Sequence, residues 1–299
     1  MHRTYLVSLF LGFYFLLRSI AVSAEPIAVV ASFSILGDLV KQLGGEQVKV
    51  TTLVGPDEDA HIYQPVPADA VAITQAQLVI INGLHFETWF SRLLKSAKYS
   101  GKVVTASDGI AALKVQGEID PHAWQSLQNI RRYAANISKG LQEIKPQAKE
   151  WFIQRLNQFI ADVDNLEDRA QKRFQAVPEE NRKIVTSHDA FAYLAADFQL
   201  DFLAPVGLST DEEPSGAALA ALIEQIRKEG ITALFVENIS DPRVLRQIAR
   251  ETGTKIGGSL YSDALSSPAG PASTYLQMME HNLNALATAL ESPAHSKKE

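Results

Sequence analysis

Residues 146–177, "PQAKEWFIQRLNQFIADVDNLEDRAQKRFQAV", decide how the chain is organised. They contain no glycine, and their one proline opens the stretch. Apolar residues recur in them at spacings of three and four, as in an amphipathic helix: Phe152, Leu156, Phe159, Val163, Leu166, Ala170 and Phe174. At about 1.5 Å per residue, a helix of roughly 30 residues is about 45 Å long. We therefore predict that residues 146–177 form a long helix that connects two lobes and runs along both.

Short β-branched runs alternate with helical stretches on each side of this connector. The predicted strands are 26–32, 48–54, 78–83 and 102–107 before it, and 183–188, 201–206, 233–238 and 255–261 after it. Such alternation favours parallel sheets with helices packed on their faces. The predicted fold class is therefore α/β, with two lobes at 25–145 and 178–290. Each lobe has a mainly parallel sheet flanked by helices.

The two ends of the chain differ from the rest in composition. Residues 1–24 combine a basic start, an apolar run at 6–17 and the small-residue sequence "AVSA", which is typical of a secretory signal peptide. An uncleaved membrane anchor is the alternative, but Arg18 leaves the apolar run too short to span a bilayer. The polar stretch at 291–299 is predicted to be disordered.

Charge and cysteine content narrow the class of protein. The chain of 299 residues has a net charge of −6, which argues against a nucleic-acid-binding protein. It has no cysteine, so it forms no disulfide and offers no thiol for lipid attachment after a signal peptide. We expect the protein to be a monomer in the periplasm of a Gram-negative cell. We also expect that it is not a lipoprotein. Simple secretion is the alternative.

Four residues are candidates for one ligand-binding site: His61, His122, His188 and Asp263. His188 lies at the carboxyl end of a predicted strand, His61 and Asp263 follow predicted strands, and His122 lies in a loop that starts a helix. In open parallel sheets, ligands bind beyond the carboxyl ends of the strands. Three neutral imidazoles and one carboxylate suit a divalent transition metal, either tetrahedral zinc or manganese bound by both oxygens of Asp263.

The other histidines and several acidic residues are weaker candidates than these four. His2 and His295 belong to the leader and the tail, His281 is expected on an exposed helix face, and His85 is a weak candidate ligand. The acidic residues at 57–59 are expected to be solvated loop carboxylates. Glu237, at the end of a predicted strand, is either a hydrogen-bond partner for a metal-bound imidazole or a surface or helix-capping residue.

Seven motifs resemble the metal-binding solute receptors of ABC importers, the cluster A-I or cluster 9 family. They are "ASFSILGDLVKQLGG" (31–45), "GPDEDAHIYQPVPAD" (55–69), "LVIINGLHFETW" (78–89), "DPHAW" (120–124), "IVTSHDAFAYLA" (184–195), "ALFVEN" (233–238) and "GGSLYSDALS" (257–266). The matching pieces extend from about residue 28 to 290, and the long connecting helix is also a feature of that family.

The resemblance implies a receptor that captures a metal ion and delivers it to a membrane permease. It assigns the four ligands to His61, His122, His188 and Asp263. Histidine at the third position is more often seen in zinc receptors, whereas a short stretch without extra histidines before "DPHAW" departs from many of them. Zn²⁺ is therefore the expected cargo, with Mn²⁺ or Fe²⁺ as alternatives. A zinc hydrolase and a surface adhesin are the competing functions, and neither the HExxH nor the GxSxG motif of hydrolases is present.

Overall fold

The computed structural model of the protein describes residues 25–291. The predicted signal peptide lies outside the described residues, and so does the predicted tail apart from Glu291, which ends the last helix. Across the described range, every helix is too short or too polar to traverse a lipid bilayer.

The first lobe is built on a parallel sheet. Its strands are β1 (Ile27–Phe33), β2 (Val48–Val54), β3 (Leu78–Ile81) and β4 (Lys102–Thr105). They are arranged in the order β2-β1-β3-β4. The two central strands are almost entirely buried, as expected for near-continuous apolar runs. The four predicted strands are confirmed, although β3 and β4 end earlier than predicted.

Helices and one hairpin complete the first lobe. The helices are α1 (Ser34–Gly44), α2 (Pro67–Gln75), α3 (Phe90–Ser96) and α4 (Leu127–Ile144). The hairpin pairs β5 (Lys114–Val115) with β6 (Glu118–Ile119), and neither it nor α3 was predicted. The hydroxyl of Ser126 accepts hydrogen bonds from the N–H groups of Gln128 and Asn129, both at 3.1 Å, and this cap begins α4.

The connecting helix is α5 (Lys149–Gln175), a single helix of 27 residues. It begins and ends slightly inside the predicted range. Its buried side chains form one stripe: Phe152, Phe159, Val163, Leu166, Ala170 and Phe174. The helix packs against α1 and α4 of the first lobe and, further along, against the last helix of the chain. The predicted contact with both lobes is therefore confirmed.

The second lobe repeats the architecture of the first. Its strands are β7 (Lys183–Val185), β8 (Asp201–Leu203), β9 (Ala233–Glu237) and β10 (Ile256–Leu260). They form a parallel sheet in the order β10-β9-β7-β8. The helices are α6 (Ala192–Phe198), α7 (Gly216–Glu229), α8 (Arg243–Thr252) and α9 (Tyr275–Glu291). The predicted α/β class is confirmed, and the lobe boundaries at 145 and 178 stay predictions.

One apolar core continues through both lobes. It extends from β1 and α1 through the buried face of α5 to α9 of the second lobe. A smaller cluster lies between the second sheet and the helices α7 and α8. The carboxyl ends of β2, β7 and β10 lead into the loops that carry His61, His188 and Asp263. Because the lobes share a core, these loops meet at a fixed interface.

Candidate metal site

The four predicted ligands converge on one point between the lobes. His61 lies in the loop after β2, and His122 lies just before the short helical turn Ala123–Gln125 that precedes α4. His188 follows β7 and forms an isolated bridge with Val206. Asp263 follows β10. Each lobe thus contributes two side chains.

The distances between the four side chains fit a small cation. Nε2 of His61 lies 3.3 Å from Nε2 of His122 and 3.2 Å from Oδ2 of Asp263. Oδ2 of Asp263 is 3.3 Å from Nε2 of His188, and Oδ1 is 3.6 Å from Nε2 of His122. Ligand atoms about 2.0–2.2 Å from a tetrahedral zinc ion lie about 3.3–3.6 Å apart. The arrangement therefore has the size of a first coordination sphere.

The site is buried, with His61 on its open side. The side chains of His122 and Asp263 are fully buried and that of His188 is 1% exposed, whereas that of His61 is 6% exposed. Among the described residues, the two carboxylate oxygens of Asp263 have no hydrogen-bond partner. The same holds for Nε2 of His188. A buried carboxylate without hydrogen bonds is costly unless a cation neutralises it.

The charged groups of the site shift the pKa values of Asp263 and His188. Burial opposes the charge of Asp263, but the imidazoles of His122 and His188 outweigh this effect and hold the pKa of Asp263 well below its usual value. Burial likewise opposes the charge of His188, yet the carboxylates of Glu237 and Asp263 raise the pKa of His188 well above its usual value. A metal ion must therefore displace a proton from His188.

Two carboxylates orient the imidazoles from behind. Oδ1 of Asp120 lies 2.7 Å from Nδ1 of His122, and Oε2 of Glu237 lies 2.6 Å from Nδ1 of His188. Both contacts favour a proton on Nδ1 and leave the lone pair of Nε2 for a metal ion. The structure places Glu237 beside an imidazole, and its role toward a metal-bound His188 stays a prediction. Asp120 was missed, although a carboxylate two residues before a candidate ligand was a usable signal.

Glu237 also shapes the backbone at His188. Its Oε1 accepts hydrogen bonds from the N–H groups of Ser187 and His188, both at 2.8 Å. The N–H of Glu237 in turn donates a hydrogen bond to the hydroxyl oxygen of Ser187 at 3.2 Å. The side chain of Glu237 therefore holds both the imidazole and the peptide that carries it.

The loop with Asp263 is braced by the first lobe. The carbonyl oxygen of Ser262 accepts hydrogen bonds from Nε1 of Trp124 at 2.9 Å and Nε2 of Gln125 at 2.6 Å. The hydroxyl of Tyr275 donates to the carbonyl oxygen of Trp124 at 2.8 Å. All these side chains are buried. The "DPHAWQ" segment thus places His122 and Asp263 together.

The acidic triplet at 57–59 is more ordered than predicted. Asp57, although exposed, accepts hydrogen bonds across the lobes from Nδ2 of Asn238 and the N–H of Ser267, both at 3.0 Å. Asp59 accepts one from the N–H of His61 at 2.9 Å. The expectation of a solvated carboxylate is therefore wrong for Asp59, which is half-buried, whereas Asp57 is exposed as expected and also holds the loop of His61.

The remaining described histidines lie outside the ligand group. His85 is exposed and has a positive φ of 65°, but it is not among the converging side chains. The next residue, Phe86, packs edge-on against His61 with ring centroids 4.7 Å apart. His281, expected to be exposed, is half-buried, and its Nε2 contacts the carbonyl oxygen of Ser259 at 2.9 Å.

Comparison with known proteins identifies the family. A family model described as "Zinc-uptake complex component A periplasmic" (ZnuA) matches residues 29–289. The chain belongs to this ZnuA family. The resemblance seen in the sequence motifs is therefore confirmed.

Individual members of known function are similar along most of the chain. The metal ABC transporter substrate-binding lipoprotein SsaB of Streptococcus sanguinis is 31% identical over 278 residues, which cover 89% of this chain and 90% of SsaB. The Mn-bound periplasmic metal binding protein of Candidatus Liberibacter asiaticus is 34% identical, with a TM-score of 0.81 and coverage of 88% of this chain and 98% of that one.

The periplasmic zinc binding protein TroA of Treponema pallidum has the same fold. Its TM-score is 0.86 at 27% identity, with 90% of this chain and all of TroA covered. Together with the family match, these similarities show that the chain is a metal-binding substrate-binding protein of an ABC transporter. It is a receptor and not an enzyme, and its role implies a membrane permease as partner.

Proposed function

We propose that His61, His122, His188 and Asp263 bind one divalent transition metal ion, and that Zn²⁺ is the cargo delivered to the permease. The observation that carries this proposal is the fully buried carboxylate of Asp263. It has no hydrogen-bond partner among the described residues and is approached by three imidazole nitrogens. A dication bound there neutralises the carboxylate and uses the lone pairs of all three imidazoles.

Two features favour zinc. Three of the four ligands are imidazoles, which suit a borderline cation such as Zn²⁺. Manganese prefers ligand sets with more oxygen atoms. Four contacts between ligand atoms, at 3.2–3.6 Å, are close to the edge length of a tetrahedron around zinc, and all the ligand atoms lie within 4.8 Å of one another.

Manganese is the second candidate, and one observation favours it. The two oxygens of Asp263 face different imidazoles, Oδ1 toward His122 and Oδ2 toward His61 and His188. The carboxylate can therefore bind through both oxygens and raise the coordination number. The similar protein of Candidatus Liberibacter asiaticus has been solved in a Mn-bound form. Fe²⁺ is a further alternative, because imidazole also suits iron.

We propose that the protein acts in the periplasm as a monomer. Two similar solved proteins are described as periplasmic, whereas SsaB is named a lipoprotein. This chain of 299 residues contains no cysteine to accept a lipid. The absence of a lipid anchor stays a prediction, and mass spectrometry of the protein isolated from cells tests it directly.

The experiment that tests the cargo is metal analysis of protein isolated from its native compartment, followed by competition in vitro. We expect about one zinc per chain and displacement of Mn²⁺ by equimolar Zn²⁺. Isolation with manganese, and retention of manganese in the presence of zinc, contradicts the zinc assignment. Binding that survives in both His122→Ala and Asp263→Ala contradicts the site itself.

A further inference from the structure

Asp59 contacts both lobes through its two carboxylate oxygens. Oδ1 accepts the hydrogen bond from the N–H of His61 at 2.9 Å. Oδ2 accepts a hydrogen bond from the hydroxyl of Thr210 at 2.5 Å. His61 belongs to the first lobe, whereas Thr210 lies between β8 and α7 of the second lobe. One side chain therefore ties a ligand-bearing loop to a loop of the opposite lobe.

The segment 207–214, which we call the cover loop, lies between two cavities that reach the metal site. A cavity of about 340 Å³ is lined by His61 and by cover-loop residues from Gly207 to Glu212, apart from Thr210. A second cavity of about 800 Å³ is lined by His188, Asp59 and Thr210. The cover loop therefore borders both cavities next to the metal site.

The cover loop is held to the first lobe by little else. Within residues 25–291, one side-chain hydrogen bond joins this loop to the first lobe, from the hydroxyl of Thr210 to Asp59. Within its own lobe, the carbonyl oxygen of Gly207 accepts from the N–H of Asp189 at 3.1 Å. The carboxylates at 211–213 are exposed and carry the same charge as Asp59, so they weaken the attraction between the loops.

The opposite side of the site is held much more firmly. There Trp124, Gln125 and Tyr275 are fully buried and hydrogen-bonded across the lobes. His61, on the side of the cover loop, is the most exposed of the four candidate ligands. Movement that admits or releases a metal ion therefore requires the least disruption at the cover loop.

We propose that the hydrogen bond between Thr210 and Asp59 is a latch that determines how long the metal ion stays bound. When the latch is closed, Asp59 holds the backbone of His61 and the cover loop at the same time. When it opens, the cover loop leaves the first lobe and the loop of His61 loses one of its restraints. Asp59 and Thr210 are thus positioning residues for metal release, and the inference rests on the proposed function.

The test is the rate of metal release from Thr210→Val, which keeps the shape of the side chain and removes the hydroxyl. The purified protein is loaded with Zn²⁺, mixed with excess chelator in a stopped-flow instrument, and the dissociation rate is measured. We expect release to be roughly tenfold faster, which corresponds to the loss of one hydrogen bond in a partly exposed site. Thr210→Ser, which restores the hydroxyl, should release metal at nearly the wild-type rate.

Ser209→Ala is the matched control, because it removes a neighbouring hydroxyl of the same loop. It should leave the rate unchanged, and all variants should keep the wild-type melting temperature without metal. Thr210→Ala replaces Thr210→Val if the latter folds poorly. Equal release rates for Thr210→Val and Ser209→Ala overturn the latch, and so does failure of Thr210→Ser to restore the rate. Metal binding by the wild-type protein and by Asp263→Asn is compared before any rate is measured. If the two bind equally well, the proposed function fails and the latch is not the cause.

Discussion

Nε2 of His61 lies 3.2 Å from Oδ2 of Asp263, although the two residues belong to different lobes. No covalent or secondary-structure constraint sets this distance. It depends on how the two sheets are oriented by the shared core and by α5. A metal ion at this point therefore adds a bond between the lobes, and metal binding must be coupled to the stability of their interface.

Replacing Asp263 with asparagine should abolish most of this coupling. The amide keeps the size of the side chain but removes the negative charge that balances the dication. We expect the dissociation constant for Zn²⁺ to rise by at least about tenfold, and the melting temperature to respond much less to added metal. Competition with a chromogenic chelator measures the first effect and calorimetry the second. Asp168→Asn, an exposed carboxylate on α5, is the control and should change neither.

Replacing Glu237 with glutamine should weaken metal binding although Glu237 is not a ligand. The amide oxygen can still accept from the N–H groups of Ser187 and His188, but the charged partner of Nδ1 is lost. We expect a loss of about tenfold to a hundredfold in affinity. Glu224→Gln, at an exposed position on α7, serves for comparison. Wild-type affinity in Glu237→Gln would show that the contact with His188 is not used.

Metal affinity should increase with pH above 6.5, the ordinary pKa of the histidine side chain. Glu237 and Asp263 outweigh the effect of burial and raise the pKa of His188, so the metal-free protein still holds this proton at neutral pH. Zn²⁺ needs the neutral imidazole and must release the proton. Titration calorimetry in two buffers of different ionisation enthalpy measures the number of protons released. If the wild-type protein releases no proton when it binds Zn²⁺, the raised pKa of His188 is contradicted.

The same shift predicts how the metal-free fold responds to pH. Because the pKa of His188 is raised in the folded state, the charged imidazole stabilises the fold below pH 6.5. This contribution is lost as the pH rises through the raised pKa. The melting temperature of the metal-free protein should therefore fall above neutral pH, and that of His188→Gln should fall less.

Replacing Asp38 with asparagine should stabilise the protein at neutral pH. Burial raises the pKa of Asp38 from 3.8 to about 6, although the N–H of Tyr275 donates to the carboxylate at 2.8 Å. Because the pKa of Asp38 is higher in the folded than in the unfolded protein, the charged carboxylate destabilises the fold at pH values above about 6. We expect a gain of up to about 3 kcal/mol at neutral pH, measured by urea unfolding. The gain should shrink as the pH approaches 3.8, and a loss of stability would show that the hydrogen bond to Tyr275 needs the charge.

Loading with metal should change the overall dimensions very little. The helix α5 packs on α1, α4 and α9, and one apolar core joins the lobes. Bending about such a helix would expose buried side chains such as Phe152 and Phe159. Solution scattering should therefore give the same radius of gyration for the metal-free and metal-loaded protein. A measurable contraction on loading would indicate closure of whole lobes rather than movement of loops.

The sequence alone predicted the fold class and the identity of the four candidate ligands. Periodicity is a local property, so the stripe along α5 and the β-branched runs of the strands could be read directly. The motifs around His61, His122, His188 and Asp263 added the resemblance to a metal receptor. The hairpin of β5 and β6 was missed because its strands of two residues each are too short to show a pattern.

Only the tertiary structure decided how the residues around the site are used. The carboxylates of Asp57 and Asp59 looked like solvated loop residues, because their partners Asn238, Ser267 and Thr210 lie far away in the sequence. Hydrogen bonding between distant residues depends on the relative orientation of two lobes, which no local pattern encodes. The sequence therefore determined which side chains could bind a metal ion, and the packing of the two lobes decided which others hold them in place.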